Sequence, residues 1–251
     1  MNKIDWSKVL FRASSMGQLM TEPQEKAAKE KGELSKTAIA HLVKVYGWEK
    51  YGRKKDITTK QMDKGILAEE DSIDLFSRVE KKMFYKNKEK LTNEYFSGHP
   101  DIFEGDDIRH ATSIHDIKSS WDMDTFMPKL VSTLDKDYFY QLQTYFDLSG
   151  ANIGSIVYCL TSAPLSILES EKKRLLYNMV NAATEFSPEY IEAAAELEYN
   201  MVFDDIPIEE KVIKFVVYRE QETIDKMKLK VEKAREFLAN LEVKHMNIYN
   251  Q

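Results

Sequence analysis

Apolar positions along the chain fall into two periods. Between residues 24 and 46, Ala28, Leu34, Ala38, Ile39, Leu42, Val43 and Tyr46 recur at helical spacing, which predicts one helix or two. Residues 46–59, with two glycines and the basic triplet Arg53-Lys54-Lys55, read as a loop, and a helix is predicted from Thr59 to about Val79. Strand-like pieces follow near Met83–Tyr85, Glu94–Phe103 and Ile108–Ser119. A helix from about Lys136 to Leu148, ended by Gly150, precedes a strand at Ile153–Leu160. Residues 165–205 are mainly helical in pattern, Val212–Tyr218 is a strand, and a long charged helix runs from about Gln221 to Leu241. The pattern is that of an α/β chain with a mixed sheet flanked by helices.

With 251 residues and 43% hydrophobic content, one domain with a full core is expected over 1–251. No apolar run is long enough to span a bilayer and Met1–Trp6 has no signal-peptide core, so a cytoplasmic protein with no membrane partner is expected. The one cysteine, Cys159, lies in an apolar strand pattern. That excludes a disulfide scaffold and a cysteine-ligated iron–sulfur cluster. The net charge of −6 runs against a nucleic-acid partner. Its distribution qualifies this, because cations gather at residues 53–55, at Lys81, Lys82, Lys86, Lys88 and Lys90, and at residues 172–174. Each such run is also what a solvated helix face or turn looks like.

The stretch Gly98-His99-Pro100-Asp101, with Asp116-Ile117-Lys118 beyond it, carries the candidate chemistry. The strand period points Asp116 and Lys118 to one face and Ile117 to the opposite, buried one. A hairpin turning near Glu104–Asp107 would bring Asp101 alongside. Two carboxylates and a lysine can hold a divalent ion beside a polarised water, and oxygen ligands suit Mg²⁺ or Mn²⁺. Upstream, a helical projection of about 100° per residue places Met62, Ile66, Ile73 and Phe76 on one face, with Glu69 near its middle, Glu70 at its margin and Asp71 turned away. A carboxylate there either binds a cation or water, or reaches the rim to pair with a lysine. Gly65 lies one turn earlier, where another backbone could approach. Downstream, Tyr138, Leu142 and Tyr145 form an apolar stripe with Gln141 at its edge, placed to hold a backbone or a phosphate. Gln143 falls on the outer flank.

Pro100-Asp101 and Asp116-Ile117-Lys118 resemble the PD-(D/E)xK signature of a nuclease superfamily. Gly65-Ile66-Leu67-Ala68-Glu69 resembles its helix bearing a further Glu, and Tyr140-Gln141-Leu142-Gln143-Thr144-Tyr145 its Gln- and Tyr-containing helix. The motifs follow the family's order over roughly residues 65–160, and they look most like the phage lambda exonuclease (YqaJ-like) branch. The resemblance implies a restriction-endonuclease-like core over about 59–220, with a helical insertion at about 162–206 and a C-terminal helix at about 221–242. It implies that Asp101, Asp116 and the Ile117 carbonyl bind Mg²⁺ or Mn²⁺, that Glu69 completes the shell, and that Lys118 orients or deprotonates the attacking water. Gln141 would line the site, and Tyr145 would contact substrate or pack in the core.

The same branch opens on a serine motif that Phe11–Gln18 resembles. Ser14 best matches its phosphate-binding serine, with Arg12 as the arginine; a Ser15/Gln18 capping box would equally explain the segment. Ser119 and Ser120 could reach phosphate or cap a turn. The implied activity is 5′ to 3′ digestion of linear double-stranded DNA from its ends, in phage or bacterial recombination. A single-strand annealing protein and a trimeric homo-oligomer are the implied partners. An endonuclease, an exonuclease of other polarity, or a non-catalytic DNA-binding protein on the same fold are the alternatives. His99, His110 and His115 match no zinc spacing, and no nucleophile elbow or Walker loop is present.

Overall fold

A computed structural model describes residues 4–54, 60–120, 122–180 and 184–249 of the chain. After a 3₁₀ turn at Trp6–Lys8, strand β1 (Phe11–Arg12) leads through a second such turn into helix α1 (Met16–Leu19). The helical pattern over residues 24–46 divides into α2 (Lys26–Glu30) and α3 (Lys36–Tyr51). Ser35 caps α3, accepting the Ala38 N–H at 3.0 Å. The helix continues past the expected boundary at Tyr46 because that residue is a packing position: its ring stacks on Trp6 at 5.1 Å. One turn on, Lys50 reaches Glu242 at 2.9 Å. Helix α4 (Lys60–Glu80) follows. The side-chain placements expected of Met62, Gly65 and Ile66, like Lys55 and Thr59, lie outside the described residues.

Next come β2 (Leu91–Thr92), β3 (Phe96–Gly98), β4 (Ile102–Glu104) and β5 (Ser113–Ser120). The short helix α5 (Met123–Phe126), then α6 (Lys136–Ser149) and β6 (Ile153–Leu160), lead to the helical hairpin α7 (Leu165–Asn178) and α8 (Pro188–Tyr199). Strand β7 (Val212–Tyr218) and helix α9 (Gln221–Tyr249) close the described chain. Three strand expectations are corrected, one only at its start, since Ile108–His110 forms a 3₁₀ turn and the strand expected from Ile108 begins at Ser113. Met83–Tyr85 forms none, because Phe84 turns inward onto Phe76 at 5.1 Å and its N–H is taken by Ser77 Oγ at 3.2 Å. The Glu94–Phe103 strand breaks at Pro100, which has no N–H for a ladder, so β3 and β4 join different sheets. Helix α9 also runs beyond its expected end at Leu241.

The larger sheet has the order β4-β5-β6-β7, with β5 and β6 parallel and the outer pairs antiparallel. It is mixed, as the pattern predicts. A smaller sheet, β1-β3-β2, was not legible in the sequence. Ile73 and Phe76 of α4 cover one face of the large sheet, packing on Ile117, Val157 and Cys159. On the other face Leu142 and Phe146 of α6 pack on Ile114 and Ile156. Helix α9 closes a further core with α3 and the N-terminal segment through Met227, Val231 and Leu238. Arg235 of α9 ties down two loops, donating to the Val9 carbonyl at 3.2 Å and to the Glu94 carbonyl at 2.6 Å.

His115 lies on the α4 side, 5% exposed, with the Phe76 and Phe84 rings at 5.4 and 5.5 Å. Its Nδ1 meets Ser155 Oγ at 2.8 Å. Burial, with Lys214 nearby, pushes its pKa down from 6.5 to about 4. The unfolded chain therefore binds the extra proton first as pH falls. The stabilisation from the neutral ring is complete above pH 6.5 and is lost as pH drops toward 4. The stability advantage of wild type over His115→Gln, read from urea unfolding, should shrink by about 3 kcal/mol across that window. An advantage that stays constant with pH would contradict this placement.

Candidate active site

Strand alternation in β5 builds the site. Ile114, Asp116 and Lys118 point to the α6 side, whereas His115, Ile117 and Ser119 point to the α4 side. The register of β4 on β5 pairs Ile102 with His115. Continued by one residue, it sets Asp101 opposite Asp116. Pro100 offers no ladder N–H at this point, and the Asp101 side chain supplies the next rung, its Oδ2 accepting the Ile117 N–H at 2.7 Å. Asn87 fixes this corner by donating to the Pro100 carbonyl at 2.9 Å.

Asp116 is 2% exposed. Its Oδ1 accepts from Gln141 Nε2 at 2.7 Å. Its Oδ2 has Lys118 Nζ at 2.5 Å, an ion pair. Lys118 Nζ also lies 4.9 Å from the centre of the Tyr138 ring. Burial pulls the lysine's pKa down, but the charges of Asp116 and Asp101 outweigh it and hold the ammonium above its ordinary value. Asp101 is raised in turn, first by burial and then by the facing Asp116. Like charges directly opposite on neighbouring strands repel, and burial increases the cost.

Gln141 is aimed by its neighbours. Its Nε2 also donates to Tyr145 Oη at 2.9 Å, and Tyr145 Oη donates to the His99 carbonyl at 3.3 Å. Gly98 makes room for this ring, since a Cβ there would stand 2.7 Å from Tyr145 Cε1. Tyr145 is therefore a buried support for Gln141, 4% exposed. Of the residues expected in the site, Asp101, Asp116, Lys118, Gln141 and Tyr145 are thus brought together, with the Ile117 backbone between the aspartates.

The others are placed differently. Glu69 faces this corner closely enough for its charge to be felt at Asp101, yet its Oε2 is bonded to Lys86 Nζ at 2.6 Å. Ser119 lies on the α4 face, with its Oγ 2.7 Å from Ser72 Oγ. The phosphate contact expected of it gives way to a helix-to-sheet tie. Arg12 and Ser14 line a separate cavity with α3. The Ser15/Gln18 capping box does not form, because Ser15 Oγ donates to the Arg12 carbonyl at 3.0 Å. Gln143, expected at the surface, is fully buried, donating to the Tyr218 carbonyl and accepting from the Glu220 N–H, each at 2.8 Å. Sequence reasoning left Tyr138, Gly98 and Lys86 without a role in the site. Only Gly98, within the Gly-His-Pro-Asp stretch, carried a readable signal. Among the described residues no group of three or more His, Cys, Asp or Glu side chains is drawn together as a metal cage.

No protein-family model and no curated protein matches the chain. Solved structures do. A phage-related exonuclease from Haemophilus somnus 129PT superposes with a TM-score of 0.72 at 23% identity, over 95% of this chain and 97% of that one. The chain has the exonuclease fold. An alkaline exonuclease from Laribacter hongkongensis shares this fold with a TM-score of 0.62 at 12% identity, over 98% of this chain and 97% of its own. Its complex with dAMP gives 0.60 at 13%, over 95% and 94%. Helices α7 and α8 lie between β6 and β7, where helical material was expected. Among the described residues no helix of this fold is long and apolar enough to cross a membrane.

Proposed function

We propose that the chain is a metal-dependent DNA exonuclease that hydrolyses phosphodiester bonds of linear double-stranded DNA. The observation that carries this reading is Asp101 set opposite Asp116, with Lys118 ion-paired at 2.5 Å and Gln141 bonded at 2.7 Å. A pair of facing, partly desolvated carboxylates is unfavourable alone and is the hard-oxygen donor set that Mg²⁺ or Mn²⁺ accepts. Asp101, Asp116 and the Ile117 carbonyl would hold the ion, with Glu69 completing the shell directly or through water. The ion supplies Lewis acidity toward the scissile phosphate and a more acidic bound water.

Lys118 does the complementary work. As a cation it orients the attacking water and offsets negative charge building on the phosphate. The Tyr138 ring faces this ammonium, 4.9 Å from its centre. Gln141, fixed by Tyr145 and His99, keeps Asp116 in one orientation, so both aspartate oxygens have defined directions before substrate arrives. Arg12 and Ser14 are assigned to substrate phosphate. The reading carries with it a cytoplasmic place of action, an annealing-protein partner and a trimeric assembly, as expectations from the resemblance.

The test is digestion of linear duplex labelled at either 5′ or 3′ ends, beside closed circular DNA, in Mg²⁺ and in EDTA. The expected result is Mg²⁺-dependent loss of linear DNA alone, with the 5′ label released first. Early release of the 3′ label would reverse the polarity. Cutting of the circle would make the enzyme an endonuclease, and inertness toward every substrate would overturn the catalytic reading.

A further inference from the structure

A second basic feature lies apart from the aspartates. Helix α3 and the Phe11–Gln18 segment enclose a cavity of about 410 Å³, the size of one nucleotide unit rather than a duplex. Arg12, Lys44 and Lys54 line it, and Glu49 is the one acidic residue among the described lining residues. Among the described residues no carboxylate pairs with any of the three cations, although the chain carries more acid than base. By contrast, the cavity of about 690 Å³ beside α7 and α8 is lined by Asp122, Asp124, Glu171 and Asp205 against Arg174. Phosphate would be repelled there.

Two observations inside the basic cavity point to a ligand. Trp48 forms part of the wall, with Lys54 Nζ 5.2 Å from its ring centre, the position an arriving base would take. His41, 6% exposed, stands edge-on to Trp48 at 6.2 Å, and among the described residues its Nε2 has no hydrogen-bond partner. A more open groove continues along α3 across Lys44 and Trp48 to Tyr51 and Arg53, so cations and aromatics alternate on one surface. That is the composition of a single-strand track, in which bases stack on aromatic faces while cations follow the phosphates. A base paired within a duplex has no free face for Trp48.

We propose that this cavity and groove bind single-stranded DNA, seating one nucleotide against Trp48 with its phosphate near Lys44 and Lys54. The inference rests on the exonuclease reading for the origin of the strand, since digestion of one strand frees the other. The turn that carries Arg12 and Ser14 ties the two sites together: Ala13, between them, packs in the same core as Leu142 and Tyr145 beside Gln141. A strand leaving the cleavage centre would reach the α3 surface by passing this turn.

The test is fluorescence anisotropy of a labelled short oligothymidylate in EDTA, where no cleavage occurs. Trp48→Ala should weaken binding by about tenfold or more, and Trp48→Phe should retain most of it. Lys44 is exposed, so Lys44→Ala folds normally; it should lower the slope of log affinity against log salt by about 0.7. Wild-type affinity and slope in both alanine variants would overturn the proposal. So would equal competition by blunt duplex. Oligothymidylate binding by a wild type that cleaves nothing in Mg²⁺ would uphold the pocket while overturning the cleavage reading. Cleavage with no binding in EDTA would do the reverse.

Discussion

Lys118→Ala should lower single-turnover cleavage of labelled linear duplex about a thousandfold, and Asp116→Ala at least as far. Removing one preorganised charge from a buried phosphoryl-transfer site costs about a hundred- to a thousandfold. Asp116→Ala removes more, since it takes away a proposed metal ligand, the partner of Lys118 and the acceptor for Gln141. Lys118→Arg should fail as well. A planar guanidinium spreads its charge and cannot present the compact, movable point charge that the ammonium sets between Asp116 Oδ2 and the Tyr138 ring. Lys118→Ala also leaves Asp116 buried without its counter-charge, a loss of about 1–2 kcal/mol in thermal unfolding once the partial exposure of the lysine is allowed for. A folded Lys118→Ala enzyme that keeps a tenth of wild-type activity would remove this lysine from the chemistry.

The largest effect on stability is expected at Gly154. This residue lies in β6 beside Ile114 of β5, and a Cβ there would stand 2.4 Å from the Ile114 carbonyl oxygen and 2.9 Å from Phe146 Cε1. Neither neighbour can yield freely. The carbonyl belongs to a strand held on both sides, and Phe146 is fully buried. Gly154→Ala should therefore cost about 3 kcal/mol, at the upper end for overpacking, seen as a lower urea midpoint at unchanged slope. Gly47 provides the opposite case. It lies within α3, and among the described residues a Cβ there meets nothing within 4 Å. Gly47→Ala should raise stability by about 0.5–1 kcal/mol through helix propensity alone. The same sign for both substitutions would mean that local propensity, not the contact with β5, governs Gly154.

The centre of the site was readable because it depends on local periods. A strand has one way to place Asp116 and Lys118 together with Ile117 behind them, and a helix has one way to bring Gln141 within a turn of Tyr145. The hairpin that delivers Asp101 was legible for a similar reason, since its turn lies close in sequence. What escaped depends on distant partners. The expected end of α3 at Tyr46 ignored Trp6 and Glu242, which no period reveals. Phe84 has strand propensity, yet its ring is worth more against Phe76 than its backbone is in a ladder. Glu69 was placed correctly on its helix, but Lys86 as its partner comes from a loop whose course depends on Asn87 and Pro100. Ser119 follows the same alternation that places Lys118, which sends its hydroxyl to the other side of the sheet.

The clamp formed by Arg235 bears on the order in which the molecule can be made. Its bond to the Val9 carbonyl joins residues 226 positions apart, and Lys50 and Glu242 are 192 apart. Strands β4 to β6 and helix α6, by contrast, draw the catalytic corner from residues near one another in the chain. During synthesis the corner around Asp116 can condense as soon as β6 has left the ribosome. The N-terminal segment and α3 must wait, with apolar surface open, until α9 emerges to cover them. The segments that come first in sequence are therefore the last to be set in place.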